Sequence, residues 1–68
     1  MGPTWFAFES DTGERGLVFV AAGRVVAASD DDRLVHYYAT QWIGKNWGEF
    51  AAVMKEKFGM AATALPNG

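Results

Sequence analysis

The chain has no cysteine, two prolines and one histidine in 68 residues. Without cysteine there is no disulfide to staple a small fold. With His36 as the sole histidine, a Cys/His zinc site is excluded as well. The lack of thiols fits a reducing compartment, so the expected location is the cytoplasm. Basic residues are also scarce. Six Lys and Arg stand against eight Asp and Glu, for a net charge of −2. Direct nucleic-acid binding is therefore not expected, because it normally needs a basic patch. No apolar run approaches the roughly 18 residues of a membrane span. The start of the chain lacks the basic and apolar segments of a secretory signal.

Apolar residues, in contrast, are plentiful. Half the chain is hydrophobic and 15% is aromatic. A chain this short forms one domain and buries only about 60% of the surface it exposes when unfolded. Apolar surface left over marks a partner or self-association.

Thr4-Trp5-Phe6-Ala7-Phe8-Glu9 has the composition of a strand. Ser10 to Gly16 is turn chemistry, with Gly13 and Gly16 free to take positive φ. Leu17 to Ala22 is a second strand, Gly23-Arg24 a tight turn, and Val25 to Ala28 a third strand. Strands this close in sequence pair as an antiparallel meander.

Ser29 or Asp30 then supplies an N-cap, and Ser29 with Asp32 resembles a capping box. Leu34, Val35, Tyr38, Ala39, Trp42 and Ile43 form one helical stripe, ended by Gly44. Asn46 and Glu49 open a second helix, which carries Trp47, Phe50, Ala51, Met54 and Phe58 to a stop at Gly59. A single helix from Asp31 to Phe58 is the alternative. Gly44 and Gly48 oppose it, at about 1 kcal/mol each. The expected fold is α+β: a three-stranded antiparallel meander, then two α-helices on one sheet face (β-β-β-α-α), in a single domain over 1–68. Residues 60–68 read as a flexible tail.

This topology sets Glu9, Asp11 and Glu14 at the same sheet end as Asp30, Asp31 and Asp32. Six of the eight acidic side chains would form one pole, partly offset by Arg15 and Arg33. The structural explanation is that acids favour a helix N-terminus and turns are polar. The functional one is a pole that docks on a basic protein surface, such as one that normally holds nucleic acid. His36 lies off the apolar stripe and reads as a surface residue. With Tyr37 it extends the expected partner-binding set. The sheet is apolar on both faces, and helices cover only one. Expected covers for the other are a second copy, giving a homodimer through the open face or a sheet edge, or the tail folded back.

No catalytic, metal or cofactor site is expected. His36 lacks an indicated nucleophile, and Asp30 to Asp32 lack the glycine and bidentate glutamate of a calcium loop. Gly13-x-x-Gly16 and Gly44-Lys45 are too short for phosphate loops.

Gly23-Arg24-Val25-Val26, followed by a helix and Ile43-Gly44-Lys45-Asn46-Trp47-Gly48-Glu49, resembles an arrangement in small phage-encoded proteins of unassigned role. The likeness runs from about Gly23 to Gly59. The acidic run Asp30 to Asp32 lies outside its motif. Small acidic phage proteins often act as host-takeover or anti-CRISPR factors, by stoichiometric binding. The resemblance thus implies a non-enzymatic inhibitor of a host protein, with the acidic pole and exposed aromatics as its contacts. The alternatives are a DNA-binding regulator using the helix pair and a self-associating assembly accessory.

Overall fold

The computed structural model describes residues 2–29 and 33–66. Strands β1 (Thr4–Glu9), β2 (Arg15–Ala21) and β3 (Arg24–Ala28) form the expected antiparallel meander. Helices α1 (Arg33–Thr40) and α2 (Trp47–Phe58) follow. A fourth strand, β4 (Ala61–Ala64), then pairs antiparallel with β1. The sheet order is β3-β2-β1-β4, with both helices on one face.

The expectation of a flexible tail is corrected over β4. Gly59 takes a left-handed conformation (φ 64°) and turns the chain back, and Met60 is fully buried beside Met54 and Phe50. The turn and the anchor deliver Ala61–Ala64 to the open edge of β1, whose backbone groups need partners. The strand is imposed by that edge. Alanine has little β preference of its own.

Strand alternation sorts the aromatics. Phe6 and Phe8 face the helices. Trp47 meets Phe6 at 4.4 Å with its ring tilted by 33°, and Phe8 edge-on at 5.5 Å, so it packs the start of α2 on β1. Phe50 meets Phe8 at 5.5 Å and Trp42 at 5.7 Å. Val18, Val20, Val25, Val35 and Ala39 complete the core on the β2–β3 side.

Gly16 is not a turn residue. It lies within β2, buried and opposite Phe8. A Cβ placed there would stand 2.5 Å from the Val35 Cβ, so the missing side chain is what lets α1 settle on the sheet.

The β2–β3 turn is Ala22-Gly23, and Arg24 already belongs to β3. Both turn residues have positive φ, 53° and 73°, as a two-residue hairpin of the mirror-image type requires. For alanine that conformation costs about 1–2 kcal/mol. Ala22→Asn should recover about 1 kcal/mol, because asparagine tolerates the left-handed region. The melting temperature should rise by about 4–8 °C, which a thermal scan by circular dichroism checks.

Helix α1 ends at Thr40, before the expected stop at Gly44. The segment after it is pulled onto the β3 edge. Gly44 N–H donates to the Val25 carbonyl at 2.8 Å, Val25 N–H to Lys45 at 3.0 Å and Trp47 N–H to Gly23 at 2.9 Å. Ile43 is thereby left 46% exposed, although the helical stripe assigned it to the core. Asn46 caps α2 as expected, its Oδ1 accepting from Glu49 N–H at 2.9 Å.

Candidate protein interface

The face of the sheet away from the helices carries Trp5, Ala7 and Glu9 from β1, Leu17 and Phe19 from β2, and Ala27 from β3. Trp5 and Phe19 are register partners, with ring centroids 4.9 Å apart. Trp5 is 39% exposed and Phe19 and Leu17 are half-buried. Ala7, between them, is buried at 2% exposure, and the described helices both pack on the other side of the sheet. Of the two expected covers, the folded-back tail is not found: β4 joins the sheet edge-on. Leu65 N–H donates to the Trp5 carbonyl at 2.8 Å, which continues the register and widens the face by Thr63 and Leu65.

One end of this face is acidic. Glu9 closes β1, and Asp11 and Glu14 stand exposed in the turn that follows. Their turn is tied by Ser10 N–H to the Glu14 carbonyl (3.0 Å) and Glu14 N–H to Ser10 Oγ (3.1 Å). Arg15 Nε approaches Glu9 Oε1 at 3.9 Å, with both side chains more than half exposed. Such a pair is weak and screened by salt. The other half of the expected pole, Asp30, Asp31 and Asp32, lies outside the described residues. Ser29, just before that run, sits at the same sheet end: its N–H donates to the Leu17 carbonyl at 2.9 Å. Its Oγ also engages Leu17, accepting from N–H at 3.2 Å. Ser29 therefore ties the end of β3 to β2, and the other expected cap, Asp30, with Asp32 as its capping-box partner, lies outside the described residues.

His36 is half-buried, where an exposed side chain was expected. Its Nδ1 stands 3.2 Å from the Ser29 carbonyl oxygen. That oxygen can only accept, so Nδ1 carries the proton and the ring braces α1 against the end of β3. Tyr37 is 61% exposed and meets Tyr38 edge-on at 5.1 Å. His36 and Tyr37 belong to α1, and Glu9 is on the open sheet face by the register, while Asp11 and Glu14 stand exposed in the turn beyond the sheet end. Of the described members of the expected set, Glu9 is on the open face and Tyr37 on α1, while His36 reaches from α1 to Ser29 at the acidic end of the sheet.

At the opposite end, Thr4, Phe6, Val20, Ala22, Gly23 and Trp47 line a half-open apolar cavity of about 150 Å³. Among the described residues, no three His, Asp or Glu side chains stand close enough to hold a metal ion. No helix among them is long and apolar enough to cross a membrane.

Comparison with known proteins gives two partial likenesses. The chain is 48% identical over 42 residues to BEM1-interacting protein 1 of Saccharomyces cerevisiae. It is 50% identical over 36 residues to BEM1-interacting protein 2 of the same yeast. These stretches are 62% and 53% of this chain but 4% of either yeast protein. No family model matches the chain. No solved structure matches it.

Trp5, Phe19 and Leu17 were legible as apolar strand residues, but the face each occupies was not. The signal was the alternation. Trp5 and Leu17 differ in parity from Phe8 and Val18, and only the register with β2 shows which set the helices cover.

Proposed function

We propose that this protein is a non-catalytic protein-interaction module that docks its partner on the open sheet face around Trp5 and Phe19. The observation that carries the reading is that face: the Trp5–Phe19 aromatic pair with Leu17 and Ala27 beside it, all partly exposed on one side of a sheet whose other side already holds the core. Uncovered apolar area rimmed by polar groups is characteristic of docking surfaces. Glu9, Asp11 and Glu14 at its end favour a partner with an apolar patch flanked by Lys or Arg. The names of both yeast relatives describe binding to another protein, which is the same class of act.

Inhibition of a host protein, the role implied by the phage-protein resemblance, is a particular form of this reading. A DNA-binding helix pair gains no support from α2, whose exposed charges balance as Glu49 and Glu56 against Lys55 and Lys57.

The test is quantitative capture from lysate of the source cells by wild type, Trp5→Glu and a Glu9→Lys/Glu14→Lys double variant. Trp5→Glu forfeits the ring pair, about 0.5–1.5 kcal/mol beyond the area Trp5 buries, so its capture is compared with wild type at a temperature where circular dichroism shows both folded. The variant should lose the partners that wild type enriches. The charge variant should retain them more weakly, with a smaller salt dependence. Equal capture by wild type and a folded Trp5→Glu overturns the assignment of the face.

A further inference from the structure

We propose that β4 pairs antiparallel with β4 of a second copy of this chain, about a two-fold axis at Thr63, joining two four-stranded sheets into one of eight strands. This goes beyond the docking role of the open face and does not depend on it.

Hydrogen-bond parity decides which backbone groups of β4 face outward. Leu65 N–H donates to the Trp5 carbonyl, so residues 5 and 65 form a hydrogen-bonded pair of the β1–β4 ladder. Such pairs alternate with non-bonded ones along an antiparallel ladder. Thr63 opposite Ala7 and Ala61 opposite Glu9 therefore turn their backbone groups toward β1. Ala62 and Ala64 turn theirs outward, to the free edge of the sheet.

The ends of the strand then select one register. A pairing centred on Ala62 would bring Ala64 opposite residue 60 of the copy, but Met60 N–H is already given to the Met54 carbonyl. One centred on Ala64 would bring Ala62 opposite Pro66, which has no N–H. Centring on Thr63 pairs Ala62 with Ala64 of the copy and Ala64 with Ala62. Each strand brings two donors and two acceptors, so all the outward groups are satisfied by their own symmetry mates.

Nothing in β4 blocks this pairing. Edge strands usually carry a charge, a proline or a bulge that prevents it. All four residues of β4 are small, uncharged and exposed. The other edge is guarded: β3 has a register irregularity opposite Phe19/Val20, and the chain from Ile43 to Asn46 bridges to its start. At the axis Thr63 meets its own copy on the open face, a favourable cross-strand pair.

Sedimentation across a dilution series from micromolar to millimolar tests this with the whole chain. Wild type should move from monomer to dimer mass as concentration rises. Ala64→Pro removes an outward donor and no bond to β1, so it should melt like wild type at low concentration, where both are monomers, and weaken dimerisation about tenfold or more. Thr63→Lys, which sets like charges opposite each other at the axis, should do the same without altering the backbone. A wild type that stays monomeric throughout overturns the proposal. So does a dimer that survives both variants, or one dissociated by Trp5→Glu alone. Because partner capture is read with Trp5→Glu and dimerisation with Ala64→Pro, failure of one reading is distinguishable from failure of the other.

Discussion

Gly16→Val should leave the chain without a cooperative unfolding transition. A Cβ at Gly16 falls 2.5 Å from the Val35 Cβ and within 3 Å of both Val35 methyl carbons. Rotation about χ1 can move those methyls, but it cannot move the Val35 Cβ, which is fixed to the α1 backbone. The helix itself must lift from the sheet. Overpacking of this kind costs about 1–3 kcal/mol, and more when backbone has to shift. A single-core domain of this length holds about 3–5 kcal/mol in all. Gly16→Ala should lose most of that stability and Gly16→Val the whole of it. Urea titration followed by circular dichroism measures both. A Gly16→Ala variant with an unchanged midpoint would mean that α1 is not held against β2 at this point.

Phe50→Ala should have an effect of the same size by the opposite route. Phe50 is fully buried, with ring contacts to Phe8, Trp42 and Trp47. It joins α2 to the sheet and to the chain that links the helices. Truncating a buried phenylalanine costs about 3–5 kcal/mol, again the whole margin of a domain this small. The expected result is loss of near-ultraviolet dichroism and of the cooperative melt. Lys55→Ala on the exposed side of the same helix is the control and should stay within about 0.5 kcal/mol of wild type.

These two sites differ in how far the sequence reveals them. Phe50 stands on an apolar stripe with Trp47 and Met54, behind an Asn46 cap and ahead of a Gly59 stop. Those are local signals, and they describe α2 to its ends. Gly16 looks like one more glycine in a polar turn. Its role lies in its distance to Val35, nineteen residues on, and no local signal carries that. β4 was hidden for a related reason. Ala-Ala-Thr-Ala has the composition of a loose tail, and it becomes a strand because β1 has an edge to fill. The early end of α1 is likewise set from outside, by the hydrogen bonds that draw Gly44 and Lys45 to Val25. The candidate interface was legible as a surplus of apolar strand residues and acidic turns. Assigning those residues to the open face needed the register, because a shift of one residue exchanges the two faces.

The proposed partner contacts the sheet face and not the helical layer. Site-specific photo-crosslinking in the source cells tests it most directly. One form of the protein carries a photoreactive phenylalanine analogue in place of Trp5, and the other carries it in place of Tyr37. Irradiation should give a covalent adduct with a second protein from position 5 and none from position 37. An adduct from position 37 alone, or none from position 5, would contradict docking on the sheet face.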